Sequence, residues 1–189
     1  MLEIKNITKT FNRGLASEKV ALDNLSLSLA DGEYVTVIGG NGAGKSTLLN
    51  AIAGVWQPDC GSIKLDDMEL VGMAEHRRAK FLGRVFQEPM MGTAPDMMLE
   101  ENLAIAARRG RKRGLKWMIG KVERDDYREL LKILELGLED RLTAKVGLLS
   151  GGQRQALTLL MASMKTPKLL ILDEHTAALD PRTAAKVME

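Results

Sequence analysis

The residues with the clearest chemical meaning form one glycine-rich run, and their spacing predicts a polyphosphate site. The run consists of Gly39, Gly40, Asn41, Gly42, Ala43, Gly44, Lys45, Ser46 and Thr47. It fits the phosphate-loop pattern of a glycine, four residues and then Gly-Lys-Ser. Glycines allow several backbone N–H groups to converge on one point, and the positive end of a following helix would face the same point. The alternative is a glycine-rich turn that binds nothing.

Two side chains of this run would act on the phosphates directly. Lys45 would reach the β- and γ-phosphates, and the Ser46 hydroxyl would complete the coordination shell of Mg²⁺. The motif requires a strand before the loop and a helix after it. The apolar run 34–38 and the sequence 48–52 favour that context.

An acidic pair far along the chain would supply the rest of the chemistry. The apolar run 169–172 ends in Asp173 and Glu174. At the tip of a strand, Asp173 would hold Mg²⁺ directly or through water, and Glu174 would polarise the water that attacks the γ-phosphate. The alternative is an ordinary strand end with two solvated acids.

The elements that must position these residues alternate between strands and helices. Residues 2–29 alternate between apolar and polar types and predict half-buried antiparallel strands, followed by a turn at Asp31 and Gly32. The run 168–174 suits a strand covered on both faces of a sheet. Shorter elements are predicted at 61–65 (strand), 75–82 (charged helix) and 84–87 (strand). Together they predict an α/β fold with a mainly parallel sheet.

The middle of the chain is predicted to be helical, unlike the alternating strands and helices around it. Residues 97–136 have helical periodicity, with Tyr127, Leu130, Leu131 and Leu134 at i, i+3, i+4 and i+7, and show no convincing strand. We therefore expect a single domain over residues 1–189. Its parts would be an α/β core (1–89 and 159–189) and an inserted helical subdomain (90–158).

Composition limits the classes of function. The 189 residues are 45% hydrophobic and 28% charged, which is typical of a soluble globular protein, and the net charge of +2 gives no general argument for nucleic acid. Cys60 is the only cysteine, so we expect a reducing compartment and no intrachain disulfide. No apolar run reaches the roughly 18 residues of a membrane-spanning helix, and no signal-peptide pattern opens the sequence, so we expect a cytosolic protein.

The sequence 149–153, Leu-Ser-Gly-Gly-Gln, resembles the LSGGQ signature of ATP-binding-cassette (ABC) ATPases. It lies between the phosphate loop and the acidic strand, in the order of that family. Ser150 is a good N-cap, and the glycines after it would expose backbone N–H groups at a helix start, which makes a second phosphate site. Three further matches are Phe11 (the aromatic that stacks on adenine), Gln87 (the Q-loop glutamine) and 177–180 (the D-loop).

The resemblance implies a P-loop NTPase fold, with a RecA-like, mainly parallel sheet, an N-terminal antiparallel β part and the inserted helical subdomain. It implies ATP as the substrate and Mg²⁺ as the metal. Lys45, Gln87 and Glu174 would be catalytic, and Ser46, Gln87 and Asp173 would hold the metal. The nucleotide would contact Phe11 and residues 39–47 of one subunit, and Ser150, Gly151, Gly152 and Gln153 of the other.

Partners follow from the same resemblance. In this family two chains form a head-to-tail homodimer, with ATP between the phosphate loop of one and the signature of the other. Neither a tandem cassette, nor a coiled-coil insertion, nor fused membrane helices occur, so the chain is most similar to an importer ATPase on the cytoplasmic side of the membrane. Separate permease subunits, a substrate-binding protein and no nucleic acid are expected. The alternatives are a non-transport cassette for signalling or translation, and a nucleotide-binding fragment without turnover.

Two departures from the family pattern bear on activity. His175 stands where many members have proline, and the sequences 173–180, 84–87 and 92–95 together are similar to importer ATPases associated with lipoprotein-type binding proteins for aromatic amino acids. We expect His175 to pack or to form hydrogen bonds, with titration as the alternative. The sequence ends at Glu189, before the switch histidine of the family. We therefore expect a C-terminally truncated cassette that binds ATP and hydrolyses it weakly.

Two segments have the composition of contact surfaces. Residues 88–98 hold four of the eleven methionines, whose flexibility suits an irregular contact, and they predict a docking surface for a short helix of a membrane subunit. The alternative is that these methionines pack inside the helical subdomain. The basic run 108–116, followed by Trp117, predicts a solvated face, with anionic lipid head groups or RNA as alternatives.

Overall fold

A computed structural model describes residues 1–111 and 119–173 of the chain. Their contacts divide the chain into two compact units, Met1–Lys80 and Phe81–Glu189, and each is described by itself. Glu174, His175 and the D-loop match 177–180 lie outside the described residues. The same holds for most of the basic run, namely Lys112, Arg113 and Lys116, and for Trp117.

The first unit is built on a four-stranded antiparallel sheet. Its strands are β1 (Leu2–Phe11), β2 (Lys19–Leu29), β3 (Cys60–Leu65) and β4 (Met68–Glu69), in the order β2-β1-β3-β4. Leu2, Ile4 and Ile7 of the central strand β1 are buried, as expected for a sheet with one covered face. The predictions of antiparallel strands in 2–29 and of a strand at 61–65 are confirmed. The turn at Asp31 is confirmed as well, since the Glu33 N–H donates to the Ala30 carbonyl.

The predicted strand over 34–38 is wrong. Residues 30–44 are all described, and none of them belongs to a strand. The side chains of Tyr34 and Ile38 are 71% and 90% exposed. An apolar run becomes a strand only when a neighbouring strand takes up its backbone hydrogen bonds, and no described strand does so here. The glycine-rich loop is therefore preceded by a segment without regular structure.

Helix α1 (Lys45–Ala53) follows the loop and is held at its carboxyl end by a buried arginine. Arg78, at the end of the short helix α2 (Glu75–Arg78), donates to the carbonyls of Ala51 at 2.7 Å and Ile52 at 2.9 Å. The cation compensates the negative end of the helix dipole, and burial lowers the pKa of Arg78. Helix α2 is shorter than the predicted helix over 75–82. It ends at Arg78, and the next strand begins at Leu82.

The second unit combines a two-stranded parallel sheet with helices. Strands β5 (Leu82–Val85) and β6 (Leu169–Leu172) are parallel, with Val85 opposite Leu172. The helices are α3 (Leu99–Ala107), α4 (Lys121–Lys132) and α5 (Gly151–Ser163), with short 3₁₀ helices at Pro89–Gly92 and Val146–Leu148. The predictions of a parallel sheet and of helical structure within 97–136 are confirmed.

Two details of the parallel strands differ from the predictions. Strand β5 ends at Val85 rather than at Gln87 and includes Gly83, whose missing side chain permits close packing. A Cβ on Gly83 would lie 2.8 Å from Leu170 Cδ1 and 3.0 Å from the Ala162 carbonyl oxygen. Cover on both faces of β6 is not found among the residues described, because Leu170 remains exposed.

Helix α5 packs against the other helices with one face and against the parallel sheet with another. Ala156 and Leu157 belong to an apolar cluster with Leu103 of α3 and Leu131 of α4. Further along, Leu159 and Ala162 pack with Val85 and Leu172 of the parallel sheet. Leu160 and Met161 near the end of α5 pack against the helical cluster as well. The spacing of the two sets of residues therefore puts them on different faces of one helix.

Replacement of Arg78 by leucine tests the cap on α1. The Arg78→Leu change leaves the carbonyls of Ala51 and Ile52 without their donor, so we expect the free energy of unfolding to fall by about 2–4 kcal/mol. Urea denaturation measures this loss. Arg77→Leu is the matched control, because Arg77 is exposed on the same short helix, and it should change stability by less than about 0.5 kcal/mol. Equal losses in the two variants would contradict the capping role.

Candidate nucleotide site

The glycine-rich run folds into a tight loop that is closed by its own lysine. Lys45 Nζ donates to the carbonyls of Gly39 at 2.7 Å and Gly40 at 3.1 Å. Gly42 and Gly44 have φ angles of +79° and +88°, which disfavour any side chain at these positions. The loop thus has the curled backbone that the phosphate-loop pattern requires.

Helix α1 begins at Lys45 without a side-chain cap. The cap residue is Gly44, and the Leu48 N–H donates the first helical hydrogen bond to the Gly44 carbonyl at 2.8 Å. The first N–H groups of a helix have no partner inside it, and the positive end of its dipole lies among them. Together with the Lys45 amine, these N–H groups form a place where an anion is stabilised.

Strand β2 adds a second cation beside this loop. A Cβ on Gly42 would lie 3.2 Å from Lys19 Nζ, and a Cβ on Gly44 only 2.4 Å from the Ala21 carbonyl oxygen. Lys19 is the register partner of Phe11, the predicted adenine-stacking residue at the end of β1. The structure therefore places Phe11 on the strand next to the one that contacts the loop. No sequence pattern indicates this position of Lys19, because only the register of the hairpin places its amine there.

Phe11 has an aromatic and a cationic neighbour. Its ring and that of Trp56 are 5.3 Å apart between centroids and almost perpendicular, at 81°. The Lys9 amine lies 5.6 Å from the Phe11 centroid. Asp59 accepts hydrogen bonds from the Thr10 N–H at 2.7 Å and from Lys9 Nζ at 3.0 Å. These two hydrogen bonds hold the pKa of Asp59 below its ordinary value, and the bond from Thr10 has the larger effect.

The second unit brings two of the predicted site residues to one edge of its sheet. The carboxyl ends of the parallel strands β5 and β6 meet at this edge, which is where ligands bind in open α/β sheets. Asp173 directly follows β6, and its N–H donates to the Val85 carbonyl at 3.1 Å. Gln87 is the second residue after β5 and is exposed. The predicted catalytic residue Glu174 lies outside the described residues.

The signature sequence forms a capped helix start, as predicted for Ser150. The Gln153 N–H donates to Ser150 Oγ at 3.2 Å, and the Ser150 N–H donates to Gln153 Oε1 at 3.1 Å, which is a capping box. Gln153 also donates to the Leu136 carbonyl at 3.2 Å. The Gln153 side chain is thus used inside the chain. Gly151 is exposed, with no atom within 4 Å of a Cβ built on it.

The segment after Gln87 is fastened to helix α5. Within Pro89–Gly92, the sulfur of Met90 accepts a hydrogen bond from the Arg154 guanidinium. Gly92 lies against Thr158, so that a Cβ on Gly92 would come within 2.1 Å of the Thr158 Cγ2. Both Arg154 and Thr158 belong to α5, the helix that starts with the signature.

The methionines of this segment are largely exposed. Met90, Met91 and Met98 present their side chains to solvent, and Met97 is half-buried. The alternative in which all four pack inside the helical subdomain is therefore wrong for three of them. These exposed methionines, one of which contacts α5, are available for a protein contact.

The basic run is partly internal. Arg109 donates to the carbonyls of Ala162 at 3.1 Å and Lys165 at 2.9 Å, and burial lowers the pKa of Arg109. Arg108 pairs with Glu123 at 3.3 Å. The expectation of a solvated face is thus wrong for Arg109, which links the ends of α3 and α5. Among residues 1–111 and 119–173, no helix is long and apolar enough to cross a membrane.

A curled glycine loop with a lysine at an uncapped helix start, on an α/β scaffold, defines a P-loop nucleoside triphosphatase. Residues 22–177 match the model of the family described as "ABC transporter". The tyrosine transport ATP-binding protein of Clostridioides difficile is 44% identical over 189 residues, which cover 100% of this chain and 75% of that protein. The chain therefore belongs to the ABC transporter family and is one of its ATP-binding, ATP-hydrolysing subunits.

Other similar proteins agree with this membership. A phosphonates import ATP-binding protein of Rhodopseudomonas palustris is 36% identical, over 100% of this chain and 68% of its own length. A dimeric post-hydrolysis state of the ATP-binding cassette MJ0796, bound to ADP and Pi, has a TM-score of 0.84 and 32% identity, over 100% of this chain and 80% of that one. The expected family, the P-loop NTPase fold and the ATPase activity are confirmed.

A single methyl group at Gly44 tests the tight contact between the loop and strand β2. In Gly44→Ala, the Cβ would meet the Ala21 carbonyl at 2.4 Å, so we expect a loss of roughly 1–3 kcal/mol in unfolding free energy and weaker ATP binding. Gly14→Ala is the matched control. It has a similar φ of +78° but no atom within 4 Å of the added Cβ. Urea denaturation and ATP titration measure both effects, and identical behaviour of the two variants would contradict the packing argument.

Proposed function

We propose that this ATPase subunit powers the uptake of an aromatic amino acid through separate membrane-spanning subunits, supplied by a substrate-binding protein. The observation on which the proposal depends is the uncapped start of α1, where Lys45 and the loop N–H groups can hold the phosphates of ATP. The choice of solute is supported by the 44% identical relative, whose name is tyrosine transport ATP-binding protein. The protein would lie peripherally on the cytoplasmic face of the membrane.

The same proposal assigns roles to the site residues. Lys45 binds the β- and γ-phosphates, Phe11 stacks on adenine, and Glu174 polarises the attacking water. Mg²⁺ prefers oxygen ligands, and the proposed donors are the side chains of Ser46, Gln87 and Asp173. The hydroxyl of Ser46 is exposed at the amino end of α1, and Gln87 and Asp173 follow adjacent strand ends. These donor types fit the metal.

We further propose that two copies of the chain pair head to tail, so that residues 150–153 of one copy close over ATP in the other. The start of α5 supports this role, because Gly151 leaves its backbone exposed at the positive end of the helix. The similar cassette MJ0796 is dimeric with ADP and Pi bound. In a two-fold pair, each ATP site would be completed by the partner copy.

The methionine segment is the proposed docking surface for a membrane subunit. Met90 and Met91 are exposed, while Arg154 and the Gly92 contact tie the same segment to α5. A displacement of the docked segment would therefore act on the helix that begins with the signature.

We also propose the division of the chain into a core (1–89 and 159–189) and a helical subdomain (90–158). Helix α5 crosses that boundary and packs against both the helical cluster and the parallel sheet.

Glu174→Gln separates ATP binding from hydrolysis. The amide cannot act as a base, so we expect ATP turnover to fall by roughly 10²-fold or more, with ATP affinity unchanged and with dimers that persist in ATP. A turnover assay and sedimentation velocity measure these effects. The control is Glu174→Gln combined with Lys45→Ala, which should stay monomeric in ATP. Persistent dimers in that double variant, or their absence in Glu174→Gln, would contradict the sandwich arrangement.

Charged substitutions in the methionine segment test the docking surface. In Met90→Asp combined with Met91→Asp, desolvation of the new carboxylates opposes an apolar contact. We therefore expect solute uptake by the assembled transporter to fall by roughly tenfold or more, while ATP binding by the isolated subunit is unchanged. Val122→Asp places the same charge at an exposed apolar position on α4 and serves as the control. Normal uptake in the double variant would remove the docking proposal.

A further inference from the structure

One aromatic contact of the first unit is not used by any of the proposed roles above. Trp56 lies in the connection between α1 and β3, and its ring packs edge-to-face against Phe11. Tryptophan is usually well buried in folded proteins, yet Trp56 is 43% exposed. Part of the indole is therefore exposed to solvent, while another part packs against the Phe11 ring.

The connection that contains Trp56 is fixed at both ends. At its start, the Trp56 N–H donates to the Asn50 carbonyl of α1 at 3.4 Å. At its end, the Asp59 N–H donates to the Thr8 carbonyl of β1 at 2.8 Å, and the Asp59 carboxylate accepts from the Thr10 N–H at 2.7 Å. The connection that contains Trp56 is thus fixed to the helix after the phosphate loop at its start and to the strand that ends in Phe11 at its end.

The aromatic pair lies close to the phosphate loop through strand β2. Phe11 is the register partner of Lys19, whose amine would be 3.2 Å from a Cβ on Gly42. The end of β1 is thus one strand away from the loop. When the phosphates of a nucleotide occupy the loop, the aromatic rings of Phe11 and Trp56 in the same unit would offer an apolar surface for its base.

We propose that Trp56 is a positioning residue for the nucleotide base. Its ring holds Phe11 in the edge-to-face orientation, and the two rings together form the subsite that receives the purine. The inference rests on the proposed function, because it requires the triphosphate to occupy the loop. Stacking on an aromatic side chain strengthens base binding by roughly 10- to 100-fold. An edge-to-face pair adds less, and its loss should weaken base binding by about 3- to 10-fold.

Two substitutions separate the aromatic ring from mere apolar volume. Trp56→Leu keeps an apolar side chain without a ring, and Trp56→Phe keeps a ring that can meet Phe11 edge-to-face. Isothermal calorimetry gives the affinity of each for ATP and for inorganic tripolyphosphate, which has the phosphates without the base. We expect Trp56→Leu to bind ATP about 3- to 10-fold more weakly, with unchanged affinity for tripolyphosphate, and Trp56→Phe to bind both ligands as the wild type does.

Three results would overturn the inference. Wild-type affinity for ATP in Trp56→Leu would show that the ring is not needed. An equal loss for ATP and tripolyphosphate would show that Trp56 only supports the fold of the loop. Failure of the wild-type protein to bind either ligand would remove the proposed function itself, and this result is distinct from the other two because it does not involve Trp56.

Fluorescence supplies a second readout that does not require a change at Trp56. The chain has two tryptophans, so Trp117→Phe leaves Trp56 as the only one. ATP should change the emission of Trp56, because the base approaches the aromatic pair, whereas tripolyphosphate should leave it unchanged. The same emission change with both ligands, or no change with ATP, would overturn the proposed base subsite.

Discussion

The structure of the first unit depends on keeping one end of helix α1 open while the other is held firmly. Gly44 provides no side chain to cap the amino end, and a glycine in place of a capping side chain costs only about 0.3 kcal/mol. At the carboxyl end, the buried guanidinium of Arg78 binds the last carbonyls. The helix is therefore anchored by its far end, and its first N–H groups remain available for an anion. Lys45 keeps the loop curled around the same point by binding the carbonyls of Gly39 and Gly40.

The start of helix α5, unlike that of α1, is capped by side chains of the chain itself. Ser150 and Gln153 satisfy each other's backbone at the beginning of α5, so the conformation of this end is set by the chain itself. What it offers a ligand is exposed backbone at Gly151 rather than a free side chain. Arg154 and Thr158, further along α5, bind the segment after β5. The proposed docking segment thus contacts the helix that begins with the proposed signature, so the proposed ATP closure and partner docking would act on one common helix.

Local geometry could be predicted from the sequence, whereas the contacts of individual residues with distant segments could not. The loop geometry and the Ser150 cap follow from short-range rules, since glycine and N-cap preferences act within a few residues. The run 34–38 has the composition of a buried strand, but the absence of a strand beside it in the described structure leaves Tyr34 exposed. Lys19 and Trp56 were missed because their positions depend on the hairpin register and on a side-chain contact between distant segments. The inclusion of Gly83 in β5 was not predicted for a similar reason, because its close contacts with Leu170 and Ala162 involve distant segments.

The proposed site depends on the amino end of α1 and on Lys45, which would hold the phosphates of ATP. Calorimetric titration of the wild-type protein and of Lys45→Ala with ATP in the presence of Mg²⁺ tests this role. We expect saturable binding of one ATP per wild-type chain and at least roughly tenfold weaker binding in Lys45→Ala, which loses one charge-assisted contact. Circular dichroism of the variant should match the wild type. Equal affinity for ATP in the two proteins would contradict the assignment of this loop as the phosphate site.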